Sequence, residues 1–332
     1  MKILITGAAG FIGFHLSKFL LDKNFTVYGL DNLNNYYDVD LKKKRLKVLN
    51  DYKKFIFLKI DLSDKKKLYK GLRAKKFDYV VNLAAQAGVR YSITKPDEYL
   101  KSNLIGFCNL LNFIKDKKIK HFLFASTSSV YGIDNSKTFK EDSPAVFPIQ
   151  FYAATKRSNE LIAHSYSYIY KLPSTALRFF TVYGPWGRPD MALFKFTKNI
   201  LNNKKIEVYN YGKHNRDFTY IDDVVKSIYL LIKKIPKKKY EKNLSNSKDA
   251  PFSIINIGGG KKVKLMNFIK EIEKNLSKIA KIKFLPLQQG DVADTSCDTK
   301  KIKSYINFVP KTNYKIGIKN FVDWYKSYYK NK

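Results

Sequence analysis

Cysteine is nearly absent from this chain. Two in 332 residues, Cys108 and Cys297, cannot staple a disulfide scaffold, and their wide separation suits a reducing cytoplasm. No uninterrupted apolar run reaches the ~18–20 residues of a membrane span, so no membrane insertion is expected. Acidic residues are scarce, 28 against 63 basic ones, and the formal net charge is +35. Arginine is scarcer still: seven of the basic residues are Arg and 56 are Lys. What is abundant excludes disorder. Hydrophobic residues at 45% and aromatics at 15% supply a core that a low-complexity or acidic disordered chain lacks. At this length that core fits one large domain, or a domain plus a lobe.

A pI near 9.8 is a footprint of nucleic-acid binders. The lysines, however, are scattered as KKK, KK and K-x-K along the whole chain, with no basic arm and no nucleic-acid motif. A solvated, compositionally biased surface explains them, and no nucleic-acid partner is expected.

Lys2–Thr6 is a short apolar run with β-branched residues, as a buried parallel strand requires. It meets Gly7-Ala8-Ala9-Gly10-Phe11-Ile12-Gly13 and then an amphipathic stretch, His15 to Leu21. A glycine-rich turn between strand and helix lets backbone N–H groups approach a pyrophosphate, whose charge the helix N-terminus favours. A secretory leader is the competing reading. Three glycines and a His interrupt the apolar run, and no small-residue cleavage site follows.

The next strand, Thr26 to Leu30, ends in Asp31, where a carboxylate accepts hydrogen bonds from adenosine ribose hydroxyls. That carboxylate repels a 2′-phosphate and favours NAD over NADP. Further strands are expected at Phe55–Ile60, ending in Asp61-Leu62, and at Tyr79–Leu83, running into Ala84-Ala85. Helices near Asp97–Lys115 and Tyr152–Tyr170 alternate with strands at His121–Ala125 and Thr175–Phe180. This rhythm predicts an α/β fold, a doubly wound parallel (Rossmann) sheet over residues 1–180. Beyond about residue 182 the pattern loosens, with helices near Ala192–Leu201, Asp222–Lys233, Leu265–Leu276 and Ile316–Tyr329. Residues 181–332 are expected to form mainly a smaller C-terminal α/β substrate lobe, some segments returning to the main sheet. Lys233–Pro251, rich in Lys, Asn and Ser, reads as a surface loop.

Ser126-Thr127-Ser128-Ser129 follows a strand, which sets its hydroxyls at the carboxyl edge of the sheet. Tyr152 and Lys156, at i and i+4, share one helix face. An ammonium and a positive nicotinamide both stabilise phenolate, lowering a Tyr pKa that is about 10 unperturbed. Such a Tyr can take a proton from a sugar hydroxyl while hydride leaves its carbon.

With these pieces together the chain resembles the extended short-chain dehydrogenases/reductases over essentially its full length. Within them it most resembles the nucleotide-sugar epimerases that act on UDP-glucuronate at C4. The segments that carry the likeness are Asp31–Tyr37, Leu83–Ser92, Arg178–Ala192, Arg216-Asp217-Phe218, Ile221–Val224 and Gly290-Asp291-Val292. Asn82 departs from the pattern, where relatives often have His; at a strand end it should perturb the cofactor pocket only modestly.

The resemblance implies tightly held NAD, contacted by Gly7, Gly10, Phe11, Ile12, Gly13, Asp31, Asn32, Asn35, Asp61, Leu62, Leu83, Ala84, Ala85, Gln86, Asn103, Ser126, Tyr152, Lys156 and Phe179. No metal is implied. Thr127 takes the catalytic Ser/Thr position, bonding the substrate O4 and relaying its proton to Tyr152, with Lys156 beside them. Related 4,6-dehydratases carry Asp-Glu at the Ser128-Ser129 positions, and UDP-glucuronate decarboxylases carry Glu at the second. Hydroxyls cannot supply that acid, so the implied reaction is reversible oxidation at C4 with the hydride returned to the other face. Ser128, Thr181 and Arg188 form the implied carboxylate site, where a guanidinium can grip bidentately. Arg216 corresponds to a pyrophosphate ligand and Tyr209 to a uracil stacking partner, with Arg90, Gln288 and Asp291 also in the sugar-nucleotide site. Other UDP-sugars, namely UDP-GlcNAc, UDP-glucose or UDP-N-acetylglucosaminuronate, could share most of these motifs.

Five arginines, 90, 157, 178, 188 and 216, fall inside the motifs, and Arg45 and Arg73 fall outside. The five point to a nucleotide-sugar pocket. Relatives of this kind dimerise through two helices, and Leu100, Leu104, Phe107, Leu111 and Ile114 make a stripe that suits either a homodimer face or intrachain core.

Overall fold

The computed structural model describes residues 1–133, 138–237 and 246–329. Seven parallel strands form the central sheet: β1 (Lys2–Thr6), β2 (Thr26–Asp31), β3 (Phe55–Lys59), β4 (Tyr79–Asn82), β5 (His121–Thr127), β6 (Ser174–Phe179) and, from the far end of the chain, Phe252–Ile257. The short strands β7 (Thr181–Tyr183), β8 (Ile206–Val208) and β9 (Asn215–Tyr220) precede that last one, which is therefore β10. Then come β11 (Lys262–Lys264) and β12 (Ile282–Phe284). The order across the sheet is β10-β6-β5-β4-β1-β2-β3. The chain reverses its direction of winding between β1 and β4, which opens a crevice at their carboxyl ends. The smaller lobe contributes a sheet of order β11-β9-β7 and the pair β12-β8.

Helices α1 (Phe11–Asp22), α2 (Val39–Asn50), α3 (Lys65–Leu72), α4 (Tyr91–Thr94), α5 (Pro96–Tyr99), α6 (Gly106–Ile114) and α7 (Phe151–Tyr170) belong to the first half. In the second half lie α8 (Ala192–Leu201), α9 (Ile221–Ile232), α10 (Leu265–Leu276), α11 (Lys300–Ile306) and α12 (Tyr314–Tyr329). Alternating strand residues feed two cores. Ile3, Ile5, Val81 and Leu123 pack on one face with α1, α9 and the lobe, and Leu4, Val80, Phe122 and Phe124 on the other with α3, α6 and α7. Both faces being covered, the strands read as continuous apolar runs.

The expected doubly wound sheet with a smaller α/β lobe is present. Helices α2 and α3 escaped the sequence reading because their lysine-rich faces leave few periodic apolar residues, Leu41, Leu46 and Leu49 in α2 and Leu68 and Leu72 in α3. The expected helix Asp97–Lys115 is interrupted by a π-helical segment, Leu100–Ile105, between α5 and α6. The apolar stripe on it splits: Phe107, Leu111 and Ile114 are intrachain core, whereas Leu100 is exposed, as is Ile105 beside it. The loop expected at 233–251 lies partly outside the described residues.

Two buried imidazoles make the fold acid-sensitive. His121 on β5 faces the Ile232 carbonyl at 3.1 Å and the Thr175 hydroxyl at 2.8 Å. His15 reaches the Pro185 carbonyl at 2.9 Å. Burial pushes both from 6.5 down to about 4, more than their carbonyl partners push back. Below pH 6.5 the unfolded chain takes up protons that the native rings refuse, so stability is lost as pH falls. Each ring should cost about 2 kcal/mol by pH 5, where carboxylates still hardly titrate. Urea unfolding at pH 7.5, 6.5 and 5 measures this, and an unfolding free energy flat across that range would contradict it.

Candidate functional site

At the end of β1 the chain turns through Gly7, whose φ of +71° suits a residue without Cβ. The amides of Gly7 and Ala8 donate to the Leu30 carbonyl at 2.7 and 3.1 Å. A Cβ on Gly7 would meet the Ala84 amide nitrogen at 2.8 Å, and one on Gly13 would sit 2.0 Å from the Gly7 carbonyl oxygen. Glycine at both places lets α1 start directly against β1 and β4. That helix opens at Gly10 with no side-chain cap and no acid in its first turn. Its first N–H groups are thus left for an anion. Asp31 stands beside the turn, accepting from the Ala9 amide at 3.1 Å and the Leu33 amide at 2.8 Å.

A cleft of about 420 Å³ runs from this turn across the carboxyl ends of the strands to the smaller lobe. It lies within the usual range for small-molecule sites. Thr127 ends β5, its hydroxyl 3.2 Å from that of Ser129. On α7, Tyr152 is half-buried and Lys156 is buried, its Nζ donating to Asn159 at 3.1 Å. Burial raises the Tyr152 pKa, and the Arg188 cation and the Thr127 hydroxyl partly offset it. Burial also pulls Lys156 down from 10.5 to about 8, against the opposing pull of Glu160. The lowered tyrosine expected from the sequence drew on the nicotinamide's positive charge as well as on Lys156; in the protein alone, burial keeps Tyr152 above its usual value.

At the other end, Thr181 opens β7 and Arg188 follows in the loop before α8. The Arg188 Nε donates to Asp190 at 3.0 Å and its Nη2 to the second carboxylate oxygen at 2.5 Å. Arg216 on β9 donates to Asp291 at 3.0 Å and to the Ala293 carbonyl at 2.6 Å.

All the site residues expected from the sequence line this cleft apart from Asn35, Asn103, Arg90, Tyr209 and Gln288. Asn35 is exposed, because the chain bends at Leu33 (φ +56°) and presents Asn34, Tyr36 and Tyr37 inward instead. Asn103 is buried in the π-helical segment, where it bonds both the amide and the carbonyl of Gln86 and thereby braces a cleft-lining loop. Its own carbonyl accepts from Asn159, the partner of Lys156. Arg90 lies over the Tyr209 ring at 4.7 Å, both outside the cleft wall, and Gln288 does not line it either. Asn82 does not line the cleft; its side-chain Oδ1 accepts from the Thr6 hydroxyl.

The arginines sort differently from the sequence reading. Arg178 and Arg157 both clamp the buried Glu160, Arg178 through 2.9 Å bonds and Arg157 at 2.7 Å, with Ser126 donating at 2.6 Å. They brace Glu160, Arg178 from the interior and Arg157 from a half-buried position, while Arg188 and Arg216 reach the cleft. Arg45, outside every motif, is fully buried, bonding the Ala9 carbonyl at 2.8 Å and the Trp186 carbonyl at 2.6 Å. Lys42, also missed, lines the cleft and bonds Asn34 at 2.6 Å. Nothing in the spacing of either residue marks it, since both sit in a lysine-rich helix.

A glycine turn at a switch point, an acid closing β2 and a Tyr–Lys pair facing the crevice define a dinucleotide-binding enzyme of the short-chain dehydrogenase/reductase type. The chain belongs to the family described as GDP-mannose 4,6 dehydratase, whose model matches residues 4–321. It is 48% identical over 334 residues to Protein CapI of Staphylococcus aureus, covering 99% of this chain and 100% of the relative. It is 42% identical over 335 residues to UDP-glucuronate 4-epimerase 1 of Arabidopsis thaliana, covering 99% of this chain and 77% of that one. Among solved structures, UDP-glucuronic acid 4-epimerase from Bacillus cereus in complex with UDP-glucuronic acid and NAD superposes with a TM-score of 0.88 at 33% identity. That match covers 99% of this chain and all of the other.

The buried Lys156 should cost stability. Holding an ammonium at about 8 rather than 10.5 corresponds to a penalty of about 3 kcal/mol at neutral pH. Lys156→Met should therefore stabilise the cofactor-free protein at pH 7 by up to about 3 kcal/mol. Wild-type stability should gain as pH rises from 8 towards 10.5, where only the unfolded chain still holds the proton, and the variant should lack that gain. Thermal melts of the two proteins across this range test it, and a destabilised variant at pH 7 would refute it.

Proposed function

We propose that the protein interconverts UDP-glucuronate and UDP-galacturonate by epimerisation at C4, with NAD as resident cofactor. The observation that carries this reading is Arg188. A cation lines the same cleft as Tyr152 and is close enough to shift its pKa, as a sugar carboxylate next to C4 requires.

The residues present fit the cofactor. The uncapped start of α1 suits a pyrophosphate, and Asp31 suits ribose hydroxyls. When bound, NAD supplies the reversible hydride acceptor for C4. Residues 1–180 hold it and residues 181–332 mainly hold the UDP-sugar. Tyr152 takes the proton of the C4 hydroxyl and gives it back, and Thr127 bonds O4 between them. Lys156, still mostly protonated at pH 7, keeps a positive charge on the tyrosine's side of the cleft. Arg188, with Ser128 and Thr181, takes the carboxylate, and Arg216 takes the pyrophosphate in exchange for Asp291.

Dehydration, the reaction in the family's description, needs an acid where this chain has Ser128 and Ser129. Among the described residues, the carboxylates that line the cleft are Asp31, Asp61 and Asp291, the last paired with Arg216. The same lack disfavours decarboxylation. Two free cysteines, one of them buried, accord with residence in a reducing cytoplasm. Among the described residues no helix is long and apolar enough to cross a membrane.

Incubation with UDP-glucuronate should yield UDP-galacturonate; UDP-xylose with CO₂, or turnover of neutral UDP-sugars alone, would overturn the reading. Tyr152→Phe should lower turnover about a thousandfold while NAD stays bound.

We further propose a homodimer through α5–α7, supported by exposed Leu100 and Ile105 on one helix and Leu161 and Tyr168 on α7. Sedimentation velocity should give twice the chain mass of 38.6 kDa at micromolar concentration, and a monomer there would exclude this pairing.

A further inference from the structure

Arg188 is not free to aim itself. Its Nε and Nη2 edge is occupied by both oxygens of Asp190, two residues on. Nη1 carries no hydrogen bond to any described residue, although the side chain lines the cleft. Asp190 does not line the cleft and stands behind the guanidinium. It is fixed in turn by the Tyr36 hydroxyl, which donates to its Oδ2 at 3.2 Å. Burial would raise the Asp190 carboxyl, and the guanidinium outweighs burial and holds it below the usual range.

Tyr36 cannot drift either. It passes so close to Gly88 that a Cβ there would lie 2.2 Å from the tyrosine oxygen. The Gly88 carbonyl accepts from Tyr99, whose ring is 6.0 Å from that of Tyr152. A packed chain thus joins the Arg188 loop to the helix that carries Tyr152.

We propose that Asp190 and Tyr36 are positioning residues that set the preference for an acidic sugar, by locking Arg188 so that its Nη1 side faces the substrate carboxylate. This rests on the carboxylate role of Arg188 proposed above. An arginine guanidinium carries five N–H donors, and Asp190 takes two of them, leaving three at the Nη end. A free arginine would lose rotamer freedom at each binding event; one held in place has lost it at folding. The pairing also tempers the cation, so the carboxylate meets an oriented donor rather than a mobile full charge.

The test uses the NAD-loaded protein, with KM for UDP-glucuronate and the inhibition constant of UDP-glucose measured in parallel. Asp190→Ala should raise KM for UDP-glucuronate about tenfold, equivalent to about 1.4 kcal/mol. The UDP-glucose constant should stay within about twofold, a ratio worth about 0.4 kcal/mol, and NAD content should hold. Tyr36→Phe should act in the same direction by about threefold, and it keeps the test decisive if the Asp190 variant does not fold. An unchanged or lower KM for UDP-glucuronate would overturn the proposal, as would equal losses for both sugars, which mark general damage. If the wild-type protein itself binds UDP-glucuronate no better than UDP-glucose, the carboxylate role of Arg188 fails first, visibly in the wild type, and this proposal falls with it.

Discussion

Everything in the site depends on how closely α1 can approach the ends of β1 and β4. Two Cβ atoms would prevent it, one on Gly7 against the Ala84 amide and one on Gly13 against the Gly7 carbonyl. With hydrogens there, the helix begins where strand order reverses, and its unpaired N–H groups open into the cleft. Asp31 is then drawn into the same turn by the Ala9 amide. Arg45 ties the turn to the opposite wall by bonding the carbonyls of Ala9 and Trp186. Trp186 takes a left-handed backbone at φ +59°, a costly conformation for a bulky residue, which Arg45 and the packing of Phe14 and Trp324 on its ring hold in place. The glycine turn and the loop bearing Arg188 are thus one mechanical unit.

Charge in this protein has two separate economies. On the surface, lysine predominates and any solvated cation serves. Inside, each buried charge has named partners: Glu160 receives two arginines and a serine, and Asp217 receives the amides of Gly259, Gly260 and Cys297. Asp217 in this way welds β9 of the lobe to the end of β10 in the main sheet. Lys156 and Lys42, both in the cleft wall, are exceptions, each with a single asparagine for its ammonium and a pKa that burial draws down to about 8. Such under-compensation is what a site awaiting a ligand looks like.

The two faces of the sheet, the glycine turn, Asp31 and the Tyr152–Lys156 pair were legible because each is written in spacings of a few residues. Periods of two and near four set which side chains share a face, whatever else the chain does. Helices α2 and α3 were not legible, since lysine-rich segments bury few apolar residues and give weak periodicity. Nor could spacing tell that the stripe at Phe107, Leu111 and Ile114 turns inward while Leu100 and Ile105 stay exposed.

The sequence by itself determined the βα order, the glycine turn, the Tyr152–Lys156 pair and the place of the crevice, all from local pattern. Only the tertiary structure decided which arginines serve the cleft, sending Arg157 and Arg178 to Glu160 and Arg188 and Arg216 to the pocket. It also recruited Arg45, Tyr36 and Asp190, and it returned β10 to the sheet beside β6. The reason is physical. A charge buried in the interior takes its role from the partner that neutralises it, and that partner can come from 75 positions away, as Asp291 does for Arg216.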